Sequence, residues 1–107
     1  MSVTTASPGE MRKEAKWMTH VDNRLLETLR ELGNLSPIAL SNEGMVSRVD
    51  TTAKYAGERC KVLARYGLVE YVDSALYRIT DEGRAYLDEE LDASTLDELD
   101  DPRVADE

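Results

Sequence analysis

Apolar residues between Thr19 and Leu91 fall into runs of different period, and the period predicts each element. Val21, Leu25, Leu29 and Leu32 recur at three- and four-residue spacing with Leu26 beside them, which is one face of a helix. Thr19 followed by Asp22 is a capping-box pattern at its start, and Gly33 with Asn34 ends it. Ser36 and Pro37 read as an N-cap and a first-turn proline opening a short second helix over Ile38, Ala39 and Leu40, closed by Gly44. Met45, Val46 and Val49 extend or restart that helix.

Asp50 and Thr51 are both good caps, and the stretch from Thr52 to Tyr66 holds no proline before Gly67 stops it. A third helix of about four turns, over 51–66, is the strongest local prediction. At 100 degrees per residue Ala53, Ala56, Cys60, Leu63 and Ala64 fall on one side. Thr51, Lys54, Tyr55, Glu58, Lys61 and Arg65 point the opposite way, with Thr52 and Arg59 on the flanks. Leu68–Val72 and Leu76–Ile79, separated by Asp73, Ser74 and Ala75, form a hairpin pattern in which Val69 and Tyr71 share a face with Tyr77 and Ile79. Thr80 and Asp81 cap a last helix whose apolar side is Ala85, Tyr86, Leu87 and Leu91.

The flanks read differently. Met1–Glu10 is rich in Ser, Thr, Pro and Gly, with too little apolar surface to offset the entropy of ordering, while Met11, Ala15, Trp17 and Met18 allow a short helix. The predicted organisation is a flexible lead over 1–16, one domain over 17–91 and a disordered acidic tail over 92–107. That order is mainly α with a small β-hairpin, an α+β winged helix-turn-helix arrangement.

Composition removes most other classes. One His and one Cys, no glycine-rich phosphate loop and no glycine-flanked nucleophile leave no parts for an enzyme, and no catalytic residue is assigned. Cys60 cannot form an intramolecular disulfide, and His20 with carboxylates is a poor zinc set, so neither metal nor cofactor is expected. His20 is expected at the surface and Cys60 as a small buried hydrophobe. The acidic tail matches no calcium loop. No apolar run reaches the roughly 18 residues of a membrane span, and the start lacks a leader pattern, so a soluble cytoplasmic chain is expected.

The net charge of −9 looks hostile to nucleic acid until it is mapped. Residues 1–87 hold 12 acids and 12 Lys or Arg, whereas residues 88–107 hold 10 acids against Arg103 alone. From Arg48 to Arg65 the balance is +3, so the third helix lies in a basic window. The major groove admits one α-helix, whose first turns reach base edges while later bases meet phosphates. Thr51, Thr52, Lys54 and Tyr55 sit in or beside those first turns. Glu58 is placed to accept from cytosine N4 or to steer Arg59, and Arg48, Arg59, Lys61 and Arg65 form the flank and phosphate group. Ser74 at the hairpin tip and Arg78 are set to touch the adjacent strand or minor groove. Any exposed helix carries such charges, so element order rather than charge favours double-stranded DNA as the partner.

Leu63 through Val69, where a helix ends on glycine and enters a hairpin, and Leu76-Tyr-Arg-Ile-Thr-Asp-Glu-Gly-Arg-Ala-Tyr-Leu87 look like prokaryotic winged-helix regulators. With Trp17-Met18-Thr19 and the Leu-Asp pair at 91 and 92, residues 17–92 resemble haloarchaeal winged-helix DNA-binding proteins of the phage phi-H repressor type. Nine Arg to four Lys, 22 acids and no Phe resemble the composition of salt-loving archaea. The resemblance implies transcriptional repression or regulation as a homodimer on paired half-sites, with Trp17 and the last helix as candidate interfaces and no small-molecule ligand implied. The segment from Ser36 to Tyr55 is several residues longer than the usual spacing. The competing reading is a winged-helix module that binds protein through Trp17, Tyr55, Tyr71 or the acidic tail.

Overall fold

A computed structural model describes residues 12–44, 49–73, 75–100 and 102. Along these residues run α1 (His20–Leu32), α2 (Pro37–Leu40), α3 (Ala53–Arg65), β1 (Val69–Tyr71), β2 (Tyr77–Ile79), α4 (Asp81–Leu87) and a 3₁₀ turn at Ala93–Thr95. This is the winged-helix order expected from the sequence.

Local chemistry fixes most boundaries. The Thr19 backbone N–H donates to the Asp22 carboxylate at 2.9 Å, and Gly33 ends α1 with φ of 94°, a region closed to most side chains. Ser36 caps α2 and Thr80 caps α4, each accepting from the backbone N–H three residues on. α3 is capped by Thr52, not by Asp50 or Thr51, and so begins two residues later than predicted. Competition from the connector decides this: the Thr51 carbonyl accepts from the Asn42 N–H at 2.8 Å, which holds Thr51 outside the helix.

β1 and β2 pair antiparallel with Val69 opposite Ile79 and Tyr71 opposite Tyr77, the facing predicted from alternation. Leu35 exchanges two backbone hydrogen bonds with Tyr77, so the segment joining α1 to α2 closes the far edge of β2. Leu25, Leu26 and Leu29 of α1 meet Ala56, Cys60, Leu63 and Ala64 of α3, Tyr77 and Ile79 of β2, and Tyr86 and Leu87 of α4 in one buried core. Leu32 departs from the predicted face, at 42 % exposed, because α1 ends beyond the edge of that core.

Both ends of the domain lie farther out than predicted. Residues 12–19 contain no helix. Arg12 is instead buried, donating to the Leu87 carbonyl at 3.1 Å and pairing with Glu27, while Ala15 and Met18 join the core. Beyond Asp92 the chain is not simply solvated: Ala93 is fully buried, its N–H donates to the Lys13 carbonyl at 2.8 Å, and Leu96 packs on the core. The Leu99 N–H donates to the Arg65 carbonyl at 2.7 Å, which ties this strap to the end of α3. A chain ending after Asp92 should therefore melt well below one ending after Asp100, by about 2 kcal/mol of lost apolar burial. Equal melting temperatures would show that the strap contributes nothing.

Candidate nucleic-acid interface

α3 is held by its inner face. Ala56, Cys60, Leu63 and Ala64 are buried, as predicted, and α2 crosses close by, with the Pro37 ring 3.7 Å from where a Cβ on Gly57 would stand. The short α2 and long α3 thus form the helix-turn-helix pair. Thr52, Lys54, Tyr55, Glu58 and Arg65 are exposed on α3 or its cap, and Lys61 is half-buried. Lys54, Glu58, Lys61 and Arg65 follow at spacings of four, three and four, which makes one stripe along the helix. Three cations and one carboxylate leave the stripe positive.

Two of the predicted contacts are placed elsewhere. Thr51 is 8 % exposed, its backbone engaged by the connector, so it does not reach the outer face. Arg59 turns inward: its Nε donates to Asp22 Oδ1 at 2.8 Å and its Nη2 to Asp22 Oδ2 at 2.7 Å. These hydrogen bonds, ahead of the loss of solvation, hold the Arg59 pKa above its ordinary value. On the hairpin, Arg78 is exposed but donates to Glu70 at 2.8 Å, so its charge is already matched across the strand pair. Arg48 and Ser74 lie outside the described residues, as does the extension over Met45 and Val46.

Sequence reasoning missed Glu43. Its carboxylate accepts from the Ala53 N–H at 3.2 Å, placing an acid at the positive end of the α3 dipole. The signal was faint, a single Glu ten residues before the helix. The turn that presents it is braced by Ser41, whose hydroxyl donates to the Ile38 carbonyl and accepts from the Glu43 N–H.

The other singled-out aromatic residues are engaged within the domain. The Trp17 ring stacks on Tyr66, centroids 4.2 Å apart and planes 17° from parallel. Tyr71 meets Tyr77 edge-on, and its hydroxyl accepts from the Ala75 N–H. Tyr86 is buried with its hydroxyl donating to Asn23 at 2.7 Å, and burial pushes that phenol up. His20 is exposed. Among the described residues no three His, Cys, Asp or Glu side chains gather as metal ligands, and no helix is long and apolar enough to cross a membrane.

Burial also pushes the Cys60 thiol from 9.0 up to about 12. Folding favours the neutral thiol, so this contribution to stability is complete below pH 9.0 and is lost as pH climbs toward about 12. At pH about 8 a disulfide reagent should leave Cys60 untouched in the folded protein and react on adding denaturant. Rapid labelling of the native chain would contradict the burial.

A helix-turn-helix pair followed by a two-stranded hairpin and a packed final helix defines a winged-helix domain with a positive stripe on its long helix. Residues 11–100 match the family of winged helix-turn-helix phage repressors, and the chain belongs to that family. A similar solved structure is the PhiH1 repressor-like protein from Haloarcula marismortui, 34% identical, covering 82% of this chain and 97% of that one, with a TM-score of 0.72. No curated protein matches. The resemblance read from the sequence is thereby borne out, and the matched span takes in the strap beyond Asp92. Repressor-type winged helices are a DNA-binding class, not a class of enzyme.

Proposed function

We propose that this chain is a sequence-specific transcriptional regulator, a repressor, that lays α3 in the major groove of double-stranded DNA as a homodimer. The observation that carries this reading is the stripe of exposed Lys54, Glu58 and Arg65 and half-buried Lys61, with Tyr55 beside its first turn, on a helix gripped from behind. Lys54 and Tyr55 are the proposed base readers, since the first turns of a recognition helix reach base edges. Lys61 and Arg65 are the proposed phosphate contacts, and Thr52 lies at the entry to the groove. The paired Arg78 contributes little.

Fluorescence anisotropy with a labelled duplex of about 25 base pairs, titrated with potassium chloride, tests this. Lys54→Ala with Arg65→Ala should weaken binding at least about tenfold and flatten the salt slope by about one, the share of Arg65. Arg78→Ala should leave both unchanged. An unaltered affinity in the double variant removes α3 as the DNA face. If the wild-type chain binds no duplex at all, the protein-binding reading replaces this one.

The acid surplus and the Haloarcula marismortui relative support a chain that works at high salt. Counterion release then drives binding weakly, and base contacts dominate.

A further inference from the structure

Arg59 sits in the middle of α3, and the hydrogen bonds it donates run to Asp22 and Trp17. Its guanidinium grips both oxygens of Asp22, a carboxylate with 0% exposure, and Nη2 also donates to the Trp17 carbonyl at 3.0 Å. Two turns further along the same side, Tyr66 stacks on the Trp17 ring. The segment 12–19 therefore holds α3 at its middle and at its end. That segment is itself anchored away from α3, by Arg12 on Leu87 and Glu27 and by the Lys13 carbonyl on Ala93.

We propose that Arg59, Asp22 and Trp17 are positioning residues that set the rotation and angle at which α3 offers Lys54 and Tyr55 to DNA, resting on the reading of α3 as the recognition helix. The inner face of α3 contains Ala56, Cys60 and Ala64, small side chains that interlock shallowly with their neighbours. Such a face permits close approach but fixes rotation about the helix axis weakly. A two-bond guanidinium fork on a buried carboxylate is directional, and its geometry admits one register. Buried ion pairs add little stability over apolar packing, yet they can select a single arrangement. The stack on Tyr66 supplies a second fixed point, and two points define an axis.

The test uses the full chain and two probes: the duplex that the wild-type protein enriches from a random library, and a mixed-sequence duplex of equal length. Arg59→Lys keeps the charge and loses the fork; Trp17→Leu removes the stack and leaves the ion pair. Each should weaken binding to the enriched duplex about tenfold, the cost of an ill-placed base contact. Mixed-sequence affinity and its salt slope should stay as in the wild type, because neither residue meets phosphate. If Arg59→Gln flattens the salt slope by about one on both duplexes, Arg59 is a phosphate contact and the proposal is wrong. It is equally wrong if both variants leave discrimination unchanged, or if both duplexes lose affinity in step with a lowered melting temperature. A wild-type chain that enriches no sequence overturns the reading of α3 itself. Trp17→Leu keeps the outcome readable should Arg59→Lys fail to fold.

Discussion

Gly83→Ala should destabilise the domain by about 3 kcal/mol, although alanine is the better helix former by about 1 kcal/mol. Gly83 lies in the first turn of α4, where the helix backbone rests on the root of the hairpin. A Cβ there would stand 2.2 Å from the Leu68 carbonyl oxygen and 2.6 Å from Ile79 Cγ1. The Leu68 carbonyl cannot retreat easily, because it already accepts from the Thr80 N–H at 3.1 Å, and the Thr80 hydroxyl is tied to the Gly67 carbonyl. Relieving the overlap means lifting α4 by about an ångström, which breaks the Thr80 cap and opens the packing of Tyr86 and Leu87. A thermal melt should fall by roughly 10–20 °C for a domain of this size. An unchanged or higher melting temperature would mean that α4 does not bear on the hairpin.

Why Gly83 escaped notice in the sequence shows where a one-dimensional reading ends. In Thr-Asp-Glu-Gly-Arg it looks like a poor residue in a short helix, and only the approach of a strand root explains it. The elements themselves were legible wherever one local signal had no rival: Ser36 before Pro37, Thr80 before an acidic first turn, Gly33 after the leucine face. Asp50 and Thr51 read as the caps and Thr52 is the residue used, a choice that fell to a connector hydrogen bond that no local rule contains. The strap from Ala93 to Leu99 was hidden by its acids. Ala93, Leu96 and Leu99 recur every three residues, and that spacing was the available sign.

The candidate site divides the same way. Which residues of α3 face inward followed from its periodicity, because small and apolar residues hold one side. Arg59 lay on the flank, where a wheel assigns no face, and its partner is 37 residues away. Charge counting credited Arg59 to the DNA surface, whereas the buried Asp22 claims it for the interior. Removing Arg59 from that surface leaves Lys54, Lys61 and Arg65 as the described cations of the stripe.

Asp22→Ala should be the most damaging single substitution in the domain, at about 3–5 kcal/mol, the usual cost of breaking a buried ion pair from one side. Asp22 serves two structures at once. Oδ2 accepts from the Thr19 N–H at the start of α1 and from Arg59 Nη2, while Oδ1 takes Arg59 Nε. Alanine removes all of these acceptors and leaves the Arg59 guanidinium with the Trp17 carbonyl in place of a carboxylate. Against a total stability of roughly 5–15 kcal/mol this brings the fold close to failure. Asp22→Asn keeps one carbonyl oxygen and should lose less. A double-mutant cycle separates the two duties: Arg59→Met in the Asp22→Ala background should recover a large part of the loss, because the orphaned cation is gone, and what remains is the missing α1 cap, about 1 kcal/mol. If Arg59→Met gives no recovery, the ion pair contributes nothing beyond the cap. The urea midpoint of the four variants measures each step.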